Sequence, residues 1–112
     1  MDVKDLGKTS LGMEANVAAL LSYLLGFITG IIFYVLEKEN KFVRFHAMQS
    51  ILVFGSLFVL AIVVGIMPFM GWALVNIIWI LDIILWVILM VKAYRGEYFK
   101  LPIAGDIAEE NS

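Results

Sequence analysis

The only histidine of the chain lies in a short polar segment that opens an apolar run. His46, Gln49 and Ser50 share one helix face through their i, i+3 and i+4 spacing. Ser50 could form a nucleophile–base pair with His46, but no residue of the pattern is placed to orient the ring. One histidine in a chain without cysteine cannot make a metal site. The pattern therefore predicts no enzyme, no metal and no other cofactor.

A second candidate is an acid inside another apolar run. Asp82 interrupts residues 72–91, which are otherwise uncharged, and shares a helix face with Asn76 and three tryptophans. A carboxylate in hydrocarbon is costly unless it is protonated or paired. Two hypotheses stay open: Asp82 handles protons or substrate, or it is a neutral acid bonded to a neighbouring helix. Thr29 and Ser56 lie at a similar depth and are the candidate partners.

The composition indicates which environment holds these residues. Of 112 residues 62% are hydrophobic, and the mean hydropathy is +0.96. This share exceeds the roughly half that is typical of soluble domains. A soluble domain of this size could not bury so much apolar surface. We therefore predict one domain that resides in a membrane.

The charge-free stretches predict where the chain crosses the membrane. They cover residues 15–36, 47–67 and 72–91, each long enough for a helix through about 30 Å of hydrocarbon. Pro68 and Gly71 predict a turn between the second and third stretches. Residues 1–14 form a retained N-terminal tail, and residues 15–110 form the domain. The predicted fold class is an all-α membrane protein with three transmembrane helices, a basic cytosolic loop and an interfacial C-terminal tail.

The first stretch carries small residues at four-residue intervals. They are Ala18, Ser22, Gly26 and Gly30. Small residues let two helix backbones approach closely in lipid. Two uses stay open for this face: packing against another helix of the same chain, or contact with a second copy of the protein.

Basic residues set the expected orientation. The loop after the first stretch has Lys38, Lys41 and Arg44, the C-terminal flank has Lys92, Arg95 and Lys100, and the N-terminal tail has Lys4 and Lys8. With three crossings, the first two groups share one side of the membrane. The positive-inside rule then predicts a cell-membrane protein with its N-terminus outside and its C-terminus in the cytosol. The partners expected are the lipid bilayer, anionic headgroups at the basic residues, and a second copy or another membrane protein, but no nucleic acid.

Residues 38–50, "KENKFVRFHAMQS", resemble the Tic-twenty-like family of small membrane proteins, and the resemblance extends over residues 14–110. The matching motif residues are Asn40, Phe42, Arg44, Phe45, His46, Ala47 and Gln49. A plastid relative belongs to a preprotein import complex. The resemblance therefore implies a role in protein movement or in a membrane assembly.

The expected function is that of a non-enzymatic subunit or scaffold of a membrane complex, with a link to protein transport implied by the resemblance. One alternative is a small transporter or channel that conducts protons or a small solute past Asp82. Another is a lipid-binding protein that uses Lys38, Lys41, Arg44 and the basic C-terminal flank against anionic headgroups.

Overall fold

The computed structural model describes residues 6–112, and within them it contains helices and no strands, which confirms the all-helical prediction. The helices are α1 (Ala15–Leu21), α2 (Phe27–Leu36), α3 (Lys41–Gly65), α4 (Gly71–Tyr94) and α5 (Ala104–Glu110). Residues 1–5 lie outside the described residues, and with them Lys4 of the orientation argument. The described chain is 50 Å long and 22 by 21 Å across.

The helices α3 and α4 form an antiparallel pair and are apolar enough to cross a membrane, by length and composition. At about 1.5 Å per residue, their 25 and 24 residues make them about 37 and 36 Å long. They correspond to the second and third predicted spans. The helix α3 begins six residues before the predicted Ala47, because the Oδ1 atom of Asn40 accepts a hydrogen bond from the Val43 N–H at 3.1 Å and caps it.

The first apolar run is not one helix, so the prediction of three spans is not confirmed. The helix α1 ends at Leu21, residues 22–26 form turns, and α2 begins at Phe27. Gly26 has a φ of 63° and a ψ of −134°, which only glycine adopts without strain. Neither α1, with seven residues, nor α2, with ten, is long enough to cross a bilayer.

The helices α1 and α2 instead form a hairpin that returns to the end where it began. Asn16, near the start of α1, donates a hydrogen bond to the Tyr94 carbonyl at the end of α4. Gly26, at the tip, lies against Phe54, near the midpoint of α3. The end of α2 then reaches the start of α3, where the Tyr34 carbonyl accepts from Arg44. We call residues 15–36 the hairpin.

The described N-terminal residues lie at the same end as the loop between α2 and α3. The N–H and hydroxyl of Ser10 donate to the Glu37 carboxylate at 2.7 to 2.9 Å. The Asn40 amide donates to the carbonyls of Leu6 and Lys8 at 2.9 and 3.0 Å. Three crossings would separate these segments by the thickness of a bilayer. The expected placement of the N-terminus and C-terminus on opposite sides is therefore not confirmed, because the hairpin turns back.

The C-terminal segment folds onto the same end of the molecule. The Gln49 side chain donates to the Phe99 carbonyl at 2.8 Å and accepts from the Leu101 N–H at 2.9 Å. The Tyr34 hydroxyl donates to the Asn111 carbonyl at 2.7 Å. The segment predicted to be an interfacial tail is therefore held against α2 and α3 and ends in the short helix α5.

These contacts divide the molecule into two halves. In what we call the packed half, residues 6–54 and 85–112 bury the largest side chains, among them Tyr23, Phe42, Phe45 and Leu89. In the open half, residues 55–84 form only a pair of helices and their turn, and most of their side chains are exposed. Gly71 lets the pair close, since a Cβ atom there would stand 2.7 Å from the Val64 carbonyl oxygen.

Candidate functional site

A buried polar cluster in the packed half joins three segments of the chain. The Tyr23 hydroxyl is 2.7 Å from Nδ1 of His46 and 3.0 Å from Nε2 of Gln49. On its other side, Nε2 of His46 is 2.8 Å from the Glu97 carbonyl oxygen. Tyr23, His46 and Gln49 are fully buried. The hairpin, α3 and the C-terminal segment are therefore connected by hydrogen bonds that water does not reach.

The geometry assigns the protons of this cluster. The Glu97 carbonyl can only accept, so Nε2 of His46 carries a hydrogen. The Gln49 amide donates to the Tyr23 oxygen, and the Tyr23 O–H has Nδ1 of His46 as its acceptor. The imidazole is therefore neutral, and both of its nitrogens are engaged.

The histidine has no free nitrogen with which to activate a nucleophile. Ser50, the candidate nucleophile, donates its hydroxyl to the Gly26 carbonyl at 2.8 Å instead of facing His46. A catalytic base must be within hydrogen-bond reach of the proton that it removes. The arrangement of His46, Gln49 and Ser50 is thus suited to holding the fold together.

The turn of the hairpin shows why Ser50 is needed. Irregular backbone at membrane depth must find its hydrogen-bond partners within the protein. Three carbonyls at the turn do so: Ser22 accepts from Thr29 at 3.1 Å, Tyr23 from the Trp86 indole at 2.8 Å, and Gly26 from Ser50. Side chains of α2, α3 and α4 therefore supply hydrogen-bond donors to backbone carbonyls at the break in the first run.

The small residues of the first run are used inside the chain. Ala18 and Ser22 are fully buried, and Gly30 is buried against α3, where a Cβ atom would stand 2.9 Å from the Ala47 carbonyl oxygen. Gly26 is at the turn, so the four do not form one continuous helix face. The surface around Gly30 is occupied by α3 and is closed to a second copy.

Arg44 and the aromatic residues of the 38–50 segment also point into the protein. The Arg44 guanidinium donates to the carbonyls of Tyr34 and Glu37 at 3.0 and 2.7 Å and stacks 4.1 Å from the Tyr34 ring. Phe42 and Phe45 are buried. Arg44 is therefore held by the packed half instead of being directed to lipid headgroups.

Glu37 is a buried acid that the sequence did not single out. Burial alone would raise the pKa of its carboxyl group, but hydrogen bonds from Ser10, Asn40 and Glu39 outweigh burial and lower the pKa below its ordinary value of 4.5. The carboxylate thus holds the N-terminal segment to the loop before α3.

The second candidate site is a groove of about 530 Å³ where the open half meets the packed half, between α3, α4 and the tip of the hairpin. The tip contributes Leu25 and Phe27, and α4 contributes Trp79, Asp82 and Trp86. Asp82 lies at the middle of the 24-residue α4. Among the described residues, nothing forms a hydrogen bond with its buried Oδ1 atom.

Neither of the partners predicted for Asp82 forms a hydrogen bond with its Oδ1 atom. Thr29 bonds within the hairpin, and Ser56 lies outside the groove beside Ile51 and Leu52. Asn76 is exposed and donates to the carbonyl of Trp72 one turn earlier in its own helix. The described residues contain no group of three potential metal-binding side chains. Asp82 is therefore alone in an apolar groove.

Fold and sites together define an all-helical membrane protein with two long apolar helices and a hairpin held by buried hydrogen bonds. The profile of the magnetosome magnetite crystal formation protein family matches residues 8–108. A UPF0132 membrane protein of Methanocaldococcus jannaschii is 55% identical over 96% of this chain and 96% of its own length. One from Archaeoglobus fulgidus is 50% identical over 88% of this chain and 95% of its own.

The chain therefore belongs to the magnetosome magnetite crystal formation protein family and to the UPF0132 family of membrane proteins. The expected membership of the Tic-twenty-like family is wrong, because the matching profile and the similar proteins belong to this other family. No solved structure matches the chain.

Proposed function

We propose that the protein is a non-enzymatic subunit or scaffold of a membrane assembly. The observation that carries the proposal is the saturated cluster of Tyr23, His46 and Gln49, which joins three segments and leaves no free base. Such a cluster rigidifies the packed half. Meanwhile α4 keeps large apolar side chains exposed along its length, as a surface for lipid and for neighbouring proteins.

The basic residues support an orientation with the packed half toward the cytosol. The lysines and arginines of the described residues all lie in residues 8–44 and 92–100, whereas the turn at residues 66–70 carries no charge. By the positive-inside rule, residues 6–10, 37–40 and 95–112 face the cytosol. The chain then enters the cytoplasmic membrane twice from that side, once as the hairpin and once as the crossing pair.

Anionic lipid headgroups are the proposed partners of this basic end. Lys8, Lys38, Lys41 and Arg95 are exposed there. Each basic residue near an anionic surface contributes about 1 kcal/mol. Arg44 is left out of this surface, because three backbone carbonyls and the Tyr34 ring occupy its guanidinium.

We do not extend the name of the matching family to a mineral-binding role for this chain. That family is named for the formation of magnetite crystals in magnetosomes. The described part of this chain offers no group of three acidic, histidine or cysteine side chains for iron. The link to protein transport depended on the resemblance that proved wrong, and we do not propose it.

Solubilisation of the native membrane in a mild detergent tests the proposal. Native mass spectrometry of the purified complex should show an assembly of defined stoichiometry, with a second protein or further copies of the chain. Exposed positions on α4, such as Ile77→Cys, should then form specific cross-links. A monomer that carries lipid alone would contradict the scaffold role.

The groove favours a second function, the conduction of protons or a small solute past Asp82. Its carboxyl group has an unpartnered oxygen at the middle of α4, and intramembrane acids are commonly functional. Proteoliposomes made with Asp82→Asn should then lose a flux that wild-type proteoliposomes show. Equal flux in both would exclude conduction past this residue.

A further inference from the structure

The groove around Asp82 has the features of a small-molecule site. Its volume of about 530 Å³ falls within the range of roughly 300–1,000 Å³ that is usual for ligand pockets. Such pockets are mostly apolar and contain a few polar groups that orient the ligand. Here Phe54, Phe58 and Ile62 line one side, and Asp82 supplies the carboxylate.

The charge of the occupant follows from Asp82. Its Oδ1 atom is buried and makes no hydrogen bond with the described residues. The described lysines and arginines belong to the packed half, at residues 8–44 and 92–100, so none lies along the part of α3 and α4 that forms the groove. A carboxylate at this depth is costly unless it is protonated or paired with a counter-charge. A cation that enters the groove supplies one.

The chemistry of the walls indicates an organic cation. Trp79 and Trp86 flank Asp82 at three and four residues' distance, which places all three side chains on one side of α4. Indole rings attract organic cations through their faces and pack against apolar bodies. A hydrated metal ion would find no comparable site, since the described residues hold no group of three ligands.

The groove is also accessible from the bilayer. Trp79 is 60% exposed and Phe58 is 52% exposed, so the walls open at the surface of the helix pair. The hairpin tip at Leu25 and Phe27 closes the groove toward the packed half. A ligand with an apolar body can therefore enter sideways from lipid.

We propose that this groove binds lipophilic organic cations, with the positive charge at the Asp82 carboxylate and the apolar body against Trp79 and Trp86. The site goes beyond the scaffold role and requires no transport. A scaffold can bind such a ligand, and binding by wild-type protein that shows no flux would separate the binding site from the transport function.

Tetraphenylphosphonium is a suitable probe because it is permanently charged and lipophilic. The protein in nanodiscs should bind the radiolabelled probe saturably, and Asp82→Asn should weaken binding at least tenfold while Asp82→Glu retains most of it. Trp79→Leu should weaken binding by a smaller factor. Asp106→Asn is the matched control: it removes the same charge from an exposed position on α5 and should leave binding unchanged.

Several results would overturn the proposal. One is equal binding by the wild type and the Asp82→Asn variant when both elute as folded protein of the same size. Another is binding that does not saturate and matches empty nanodiscs. Efficient disulfide formation between two Trp79→Cys chains in the membrane would show that a second copy fills the groove, and would also overturn it.

Discussion

The packed and open halves use the same two long helices in opposite ways. In the packed half, α3 and α4 are covered by the hairpin and the C-terminal segment, and the polar side chains of Tyr23, His46 and Gln49 are bonded to one another. In the open half most of the helix surface is uncovered, and the one acid, Asp82, keeps an unpartnered oxygen.

The difference separates polar residues that build the fold from those available to a ligand. A buried polar group whose partners are all within the chain stabilises one structure. A polar group without a partner, in a groove that reaches the surface, is costly for the chain alone and is relieved by an occupant. His46 belongs to the first kind and Asp82 to the second.

The largest difference in stability between the two halves is expected when a side-chain amide is removed from each. Gln49→Leu deletes three hydrogen bonds, to the Tyr23 hydroxyl, the Phe99 carbonyl and the Leu101 N–H. Leaving buried groups unsatisfied costs about 1–3 kcal/mol each. We therefore expect about 3 kcal/mol or more of lost stability, measured by SDS-induced unfolding in mixed micelles.

Asn76→Leu is the matched change in the open half. Asn76 is exposed and bonds only to a carbonyl of its own helix, so we expect a change within about 0.5 kcal/mol. If both variants lost the same stability, the distinction between the halves would be wrong.

A smaller difference in stability is expected when one methyl group is added to a glycine in each half. At Gly30 a Cβ atom would stand 2.9 Å from the Ala47 carbonyl oxygen and 3.0 Å from the Ser50 Cβ atom. Gly30→Ala should therefore cost about 1–3 kcal/mol through overpacking, in the same unfolding assay. At Gly55 the nearest atom is Cβ of Phe27, at 3.9 Å, so Gly55→Ala should be tolerated. Loss of stability in the second variant alone would contradict the packing described for the hairpin.

The smallest expected effect is a pH dependence confined to the packed half. The pKa of Glu37 is lowered in the folded protein, so its stabilising contribution is complete above the ordinary value of 4.5 and is lost as the pH falls through the lowered pKa. Thermal unfolding from about pH 6 to about pH 3 should show this loss in the wild type. Glu37→Gln should be less stable at the upper end and should lack this part of the pH dependence. Parallel curves for the two proteins would show that Glu37 contributes nothing.

The sequence allowed prediction of the long helices but not of the hairpin. Uncharged runs locate α3 and α4 to within a few residues, because the bilayer requires long apolar helices. The apolar run at residues 15–36 is as long as the other two but is not one helix. Hydropathy could not show this, because it is equal for a crossing helix and for a hairpin that turns back. The features that reveal the break are Gly26, with its positive φ, and the donors Thr29, Ser50 and Trp86, two of which come from distant parts of the chain.

The candidate residues could be identified from local sequence patterns, but the partners of His46 and the surroundings of Asp82 could not. The spacing of His46, Gln49 and Ser50 predicted a shared helix face, but the partners of His46, Tyr23 and Glu97, are distant in sequence and could not be inferred from local periodicity. Asp82 was identified from its charge alone. Its surroundings depend on where the hairpin ends, which the sequence did not reveal.

The most direct test of the account is whether the segment before the hairpin and the C-terminal helix α5 lie on the same side of the membrane. The sequence contains no cysteine, so Lys8→Cys, Met70→Cys and Glu110→Cys can each be labelled alone. With a membrane-impermeant maleimide added to intact cells, only position 70 should react, and positions 8 and 110 should react only after the membrane is opened. Labelling of position 8 from outside and of position 110 from inside would mean that the first apolar run crosses the membrane, which would contradict the hairpin.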